Sequence, residues 1–506
     1  DNVKIIKKGA FSECGSLTEI TLPVGLLRIE EGAFEKCPLD TVTFKNPFTD
    51  IQADFSSVKT ICGYDDSTGQ KYAQENDIEF VSLGEKPEAV EVAGGKCAFD
   101  TGWSLDSSGK MTIHYLAEFN TGVAIEQPPH YEDMLWWDAG LVNELVIENN
   151  VTSIPINAFG GFAKIESVTI PDSVGEIGND AFSSCTNLRE VIMPETMKSI
   201  GSYVFTGCSS LMEITIPKGI TEISDGLFNG CTSLAKIEIP DGVTTIGESA
   251  FSYSGLISVH IPDSVTEIKE AAFYKCENLK DAAIPDSVTK LGTEVFSGCI
   301  NLEHINIPDG VETIPSFAFF ECTNLKTVAL PEKLKTISES AFHGCSSLEL
   351  ISLPDSLETI CSGAFAACSK LRSAAIPENV DTVEEFAFES CTALESIAFR
   401  NPDCTIRMFP DTIPESATIY AHSGSTAEDH AMYYDRKFAP ISEFVDLTKV
   451  LYGDSNCDGK VNLADTVLIM QVKANPSKYS FTKQGEYNAD CCDVGDGVSN
   501  KDALAI

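Results

Sequence analysis

A 23-residue beat constrains this chain more than any other feature. Proline falls at positions 171, 194, 217, 240, 262, 285, 308, 331, 354 and 377, each step being 23 residues except one of 22. Phenylalanine keeps the same time at 159, 182, 205, 228, 251, 273, 296, 319, 342, 365 and 388, usually after alanine, which marks eleven units. A representative unit, Ser258-Val259-His260-Ile261-Pro262-Asp263-Ser264-Val265-Thr266-Glu267-Ile268, reads as a short alternating strand, a Pro-Asp turn and a second apolar pair ahead of the Ala-Phe segment. One such unit cannot bury its apolar face alone. Stacked neighbours create the core, so the array is expected to be a β-rich solenoid.

The cysteines follow the beat. Cys185, Cys208, Cys231, Cys276, Cys299, Cys322, Cys345, Cys368 and Cys391 recur at 23 residues or its near double, and Cys14 and Cys37 keep the same step. Phe162 and Ser254 occupy the slot in two other units, which a disulfide scheme would not tolerate. We therefore expect a column of buried thiols acting as small hydrophobes. Cys457, Cys491 and Cys492 lie outside the column, and a bridge among them stays open.

The repeats form two blocks. Ala10-Phe11 and Ala33-Phe34 belong to the first, and Phe44-Lys45-Asn46-Pro47 is matched by Phe399-Arg400-Asn401-Pro402 at the end of the second. Each is followed by one closing segment: Thr60-Ile61, Ser67-Thr68, Ala73 and Phe80 correspond to Thr418-Ile419, Ser425-Thr426, Ala431 and Phe438 at a constant offset. A helix there would cover the open end of a solenoid. The expected order is the end of a first module with its cap over 1–81, a linker over 82–94, an opening cap over 95–145, the main solenoid with its closing cap over 146–441, and a separate tail over 442–506. Within the opening cap, Gly102-Trp103-Ser104-Leu105 and Gly109-Lys110-Met111-Thr112-Ile113 read as a hairpin, and Trp136-Trp137 as cap surface or a sugar-stacking platform.

This pattern resembles the BspA-like leucine-rich repeats of bacterial surface and secreted proteins, over about three quarters of the chain. The resemblance implies a leucine-rich-repeat solenoid and an association with adhesion to protein or matrix partners. It assigns no residue a role.

Residues 454–465 carry the chemistry of a hard cation. Asp454, Asn456 and Asp458 stand at positions 1, 3 and 5 of a twelve-residue loop, Gly459 at 6, Lys460 with its carbonyl at 7, Asn462 at 9 and Asp465 at 12. A helix is expected over 463–471. The stretch 490–502 echoes the loop one residue longer, with Cys492 where an oxygen is expected and Asp493 or Asp496 able to replace it; Ala503-Leu504-Ala505-Ile506 aligns with Thr466-Val467-Leu468-Ile469. This tail resembles the dockerin family, of the ruminococcal cellulosome type: a small all-α module with two loop-helix units. The resemblance implies two calcium ions, with Asp490, Asp493, Asp496 and Asp502 as ligands of the second, and a cohesin domain of a scaffoldin as partner, contacted by Leu463 and Ala464 with Val467 and Gln471 extending the face. Because Ile506 aligns with Ile469 while the first helix runs on, the module is expected to be truncated. Asp1 falls inside a repeat, so the chain is expected to be a fragment.

With 35 basic and 76 acidic residues the formal charge is −41, which repels phosphates and argues against nucleic acid as a partner. No apolar run reaches the ~18 residues of a membrane span. Seven histidines are scattered: His422 and His430 lack a third ligand at metal spacing, and His343 two residues before Cys345 is read as an accident of the repeat. There is no phosphate loop or serine elbow, so no catalytic residue is expected. Strand alternation points the residue two before each proline outward. From Ala283 that column runs Asn306, Ala329, Ser352, Ala375 and Ala398, an uncharged strip suited to a flat protein or polysaccharide ligand, or merely to sheet curvature. The favoured reading is a non-catalytic secreted or surface-associated binding protein. A larger enzyme with its catalytic domain upstream of residue 1, and a structural spacer, remain alternatives.

Overall fold

The computed structural model describes residues 3–98, 101–115, 141–407, 409–449, 457, 461, 463–474, 476, 478–489 and 498. The chain divides into two compact units, one of residues 1–220 with 224–242, the other of 221–223 with 243–506.

In the second unit the repeat appears as parallel ladders. Thr313–Ile314, Thr336–Ile337, Thr359–Ile360, Thr382–Val383 and Thr405–Ile406 stack in register, each threonine on a threonine, so the 23-residue step of the sequence is the step from one coil to the next. The strands before the prolines stack likewise, as Ser258–His260 on Asp281–Ala283 and His304–Asn306 on Thr327–Ala329. In each of these strands the outer residues are exposed and the middle one is turned inward, as a period of two requires.

Between the ladders runs a file of phenylalanine rings. Phe251, Phe273, Phe296, Phe319, Phe342, Phe365 and Phe388 are all fully buried, with successive centroids 5.2–5.8 Å apart and planes within 15° of parallel. The cysteine column lies beside it. Cys276, Cys299, Cys322, Cys345, Cys368 and Cys391 are free and buried, and burial pushes the thiols up, Cys276 and Cys322 to about 12. They are more than small hydrophobes, because each thiol donates to the carbonyl of the phenylalanine one coil back: Cys299 to Phe273 at 3.2 Å, Cys322 to Phe296 at 3.1 Å. Ser254 fills the slot because a hydroxyl can serve the same ladder; it lies 3.3 Å from the Cys276 sulfur.

The first unit repeats this plan in two stretches. Ile5–Ile6, Arg28–Ile29 and Asp50–Ile51 form one parallel ladder and Glu19–Leu22, Thr41–Phe44, Thr60–Gly63 and Glu79–Ser82 the other. An antiparallel sheet follows, Glu91–Ala98, Thr101–Asp106 and Lys110–Tyr115, whose last strand pairs in parallel with Glu144–Ile147. Its first strand starts inside the stretch read as linker, since Glu91 and Ala93 pair with Asp106 and Leu105. Trp103, Leu105, Met111 and Ile113 are buried within it. Trp136 and Trp137 lie outside the described residues.

Both closing segments fold alike. Helix α1 (Thr68–Glu75) and helix α2 (Thr426–Tyr433) are each capped by a serine, Ser67 accepting from the Gln70 N–H and Ser425 from the Glu428 N–H at 3.2 Å. Each lies between two parallel strands, Thr60–Gly63 and Glu79–Ser82 or Thr418–Ala421 and Lys437–Pro440. Helix α3 (Leu463–Ala474) covers the expected helix and runs one turn further, and a helix not anticipated from sequence, α4 (Lys483–Ala489), follows it. Ile469 and Ala489 are fully buried against each other, with Phe481 and Val498 alongside.

Candidate functional site

The strand column expected to form a ligand strip splits in two. Ala283, Asn306, Ala329 and Ser352 are exposed along the outer face of their coils, whereas Ala375 is half-buried and Ala398 fully buried. Ser373, which opens the strand that carries Ala375, is only 2% exposed.

The chain itself covers that end. After the closing cap, residues 441–449 turn back so that the Phe444 ring lies 5.4 Å from that of Tyr420, whose strand pairs directly beside Ala398. Arg400 reaches Asp446 at 3.0 Å, and Asp446, 7% exposed, also accepts from the Thr448 hydroxyl at 2.6 Å and N–H at 3.1 Å. Its own N–H donates to the Gln484 side chain of α4 at 2.6 Å. Ala398 is therefore not open to a ligand and Ala375 is open only in part, while the four preceding rungs are exposed.

Of the residues assigned to the calcium loops, Asp454, Asn456, Asp458, Lys460, Asn462, Asp490, Asp493, Asp496 and Asp502 lie outside the described residues. Asp465, with Leu463, Ala464 and Val467, falls in the first turns of α3, and Gln471 is half-buried further along it. Cys457, within the first loop, is a free exposed thiol 3.8 Å from the Thr482 hydroxyl at the start of α4. Among the described residues no three His, Cys, Asp or Glu side chains gather as a metal site.

His114 sits between the Ser104 hydroxyl at 2.6 Å and the Glu148 carboxylate at 3.1 Å, whereas His304, His343 and His430 act singly. His304 meets the Thr327 hydroxyl at 2.7 Å on the exposed face. His343 stacks on Phe320 at 4.9 Å while Cys345 donates to the Phe319 carbonyl, so the two form no pair. His430, on α2, is 1% exposed with its ring 4.9 Å from Tyr434, and neither ring nitrogen has a hydrogen-bond partner among the described residues. Burial, then the nearby Arg436 guanidinium, pushes its pKa down to about 4, because a second positive charge there would be poorly solvated.

Sequence reasoning missed one group of surface residues. Along the turn edge of the second unit, Tyr253 and Tyr274 meet at 5.4 Å, Phe317 and Phe320 at 5.7 Å, and Phe320 lies nearly flat on His343. The signal was available by aligning the units on their core phenylalanines, since the other units carry small or polar residues at most of these slots.

The model for the BspA type leucine rich repeat region matches residues 1–62, 137–257, 198–315, 245–372 and 289–409. Among solved structures, a leucine-rich repeat protein from Bacteroides ovatus superposes with a TM-score of 0.52 at 24% identity, over 83% of this chain and 88% of that one. A leucine rich cell surface protein from Faecalibacterium prausnitzii is 28% identical over 62% of this chain and 95% of its own, with a TM-score of 0.35. A curated relative, a xylanase/beta-glucanase of Ruminococcus flavefaciens, is 44% identical over 63 residues, 11% of this chain; the chain spans only 8% of that relative's length.

Proposed function

Because the chain belongs to the BspA type leucine rich repeat family, we propose that it is a non-catalytic, secreted or surface-associated binding protein: its array holds a protein or polysaccharide, and residues 442–506 attach it through calcium to a scaffoldin cohesin. The observation that carries the anchoring half is the pair of Asp-rich stretches at 454–465 and 490–502, the first running into α3. In the first stretch, oxygen-only donors at alternate positions, with a glycine at the sixth, suit a hard cation of calcium's size. The like charges of each loop repel until a divalent ion neutralises them, so binding and folding of the tail are coupled. The 63-residue likeness to a polysaccharide-degrading protein is comparable in length with this tail and supports the reading, since an attachment module is what a binding protein and an enzyme can share. Among the described residues no helix is long and apolar enough to cross a membrane.

For the array, the open rungs Ala283, Asn306, Ala329 and Ser352 offer a flat uncharged surface on a strongly acidic molecule. Capture of the full chain by a panel of immobilised cohesins, with and without chelator, tests the anchor. Chelator-sensitive capture by at least one cohesin is expected; capture by none, or capture indifferent to chelator, overturns it.

A further inference from the structure

We infer that the turn edge over coils 253–343 is a second binding surface, and that its ligand is a neutral polysaccharide. The inference rests on the array being a ligand-holding element, and adds a site and a ligand class to it.

The rings are not what the fold asks for at these positions. Two residues before and two after the core phenylalanine the backbone is left-handed, and several coils place glycine there: Gly226 and Gly363 before, Gly207, Gly230, Gly298 and Gly344 after. Tyr253 and Lys275 take the following slot at φ 57° and 51°, and Phe317 the preceding one at φ 58°. A side chain on left-handed backbone is held against local preference. The slot just after the core phenylalanine holds Ser183, Ser252 and Ser297 in three coils, yet Tyr274, Phe320 and His343 in three others.

Their arrangement fits a sugar chain. Phe320 and His343 stack at 15° and are each half-exposed, and Tyr253, 47% exposed, stands edge-on to Tyr274. Ser297 and Gly298 lie one coil from each group and leave a saddle between them. Tyr274 and Phe320 are therefore two coils apart, roughly 10 Å at the spacing of paired strands, close to the advance of one disaccharide along an extended β-linked chain. Aromatic faces pack on the C–H faces of pyranose rings, and the equatorial hydroxyls need acceptors beside them. Glu270, Glu294, Glu321 and Glu339 belong to the same run of coils and are exposed or half-exposed, while the Lys275 ammonium is held 5.4 Å from the Tyr274 ring and 5.6 Å from that of Tyr253. Four carboxylates against one engaged lysine repel an acidic polymer, which selects a neutral one.

The test is affinity electrophoresis of the full chain in gels containing soluble β-glucan, xylan or galactomannan, with polygalacturonate as the acidic probe, followed by titration calorimetry. Retardation by at least one neutral polymer and not by polygalacturonate is expected. A variant carrying Tyr253→Gly, Tyr274→Ser, Phe317→Gly and Phe320→Ser installs at each slot a residue that other coils already hold. It should weaken binding at least tenfold while its circular dichroism and cohesin capture stay unchanged. No retardation by any neutral polymer, or full retardation of the variant, overturns the inference. If Ala329→Arg abolishes glycan binding and the ring variant does not, the ligand lies on the strand face, and the turn-edge site falls while the binding role of the array stands. Capture of a polypeptide in place of any glycan, lost with the rings, likewise refutes the ligand class.

Discussion

Acidification should loosen the second closing cap and spare the first. The His430 side chain is neutral in the folded protein, with its pKa pushed down from the ordinary 6.5 to about 4, so between those values the unfolded chain takes up a proton that the folded one does not. Stability from this group is complete above about pH 6.5 and is lost as the pH falls toward 4. The full gap corresponds to about 3 kcal/mol, and fraying of the short helix α2 relieves part of it, leaving about 2 kcal/mol. The first cap is an internal control. The constant offset between the caps puts Tyr72 at the slot of His430, and its hydroxyl accepts the Phe55 N–H at 2.8 Å. Hydrogen exchange at pH 7.5 and 4.5, corrected for intrinsic rates, should show protection of α2 falling about thirtyfold, the equivalent of 2 kcal/mol, with α1 little changed. His430→Tyr, which copies the first cap, should abolish the difference. Equal loss in both helices, or an acid response that survives His430→Tyr, would rule out the buried imidazole as the cause.

Three further outcomes follow from the core and the covered end. Phe319→Ala should destabilise the second unit by about 4 kcal/mol in urea unfolding, because it empties a fully buried ring site and removes two stacked neighbours; a loss under about 1 kcal/mol would mean the ring file is not the core. Thiol titration of the native protein should label exposed Cys457 promptly and leave Cys276, Cys299 and Cys322 unreacted until denaturant is added, while Cys322→Ser, a change with a natural precedent in Ser254, costs only about 1 kcal/mol. Rapid native labelling of the column would contradict its burial. Arg400→Ala should release residues 441–449, read as new protease cuts there and as greater exposure of Ala398; an unchanged digestion pattern would show that the Asp446 contact does not hold the segment.

The solenoid was legible because its determinants are local and repeated. Proline ends the outward strand, Ala-Phe fills the interior, and eleven copies fix the step without any long-range pairing to guess. The thiol ladder was half-legible. Cys299 and its neighbours read as buried, but only the structure places each sulfur against the carbonyl of the coil before; Ser254 was the clue, since serine is a poor hydrophobe and a good donor. The covered strip was not legible at all, because small outward residues look the same whether solvent, a ligand or the chain's own tail lies over them. Arg400 and Asp446 are 46 residues apart, but Asp446 lies beyond the closing cap where the repeat has ended, so nothing in the repeat announces their contact. The aromatic edge escaped for the opposite reason: Tyr253 and Phe317 break the pattern, and reading by consensus discards what breaks it.

If calcium turns the tail into an anchor for an array that binds but does not catalyse, the metal must enter both loops and order the helices beside them. Titration calorimetry of calcium into the metal-stripped full chain, beside Asp454→Ala and Asp465→Ala, decides this. Saturable uptake of two ions by the parent chain is expected, with the first-loop site lost in either variant and α3 and α4 exchange protection restored on binding in the parent alone. No saturable uptake by the parent chain, or the same uptake by all three proteins, would contradict a calcium-built anchor.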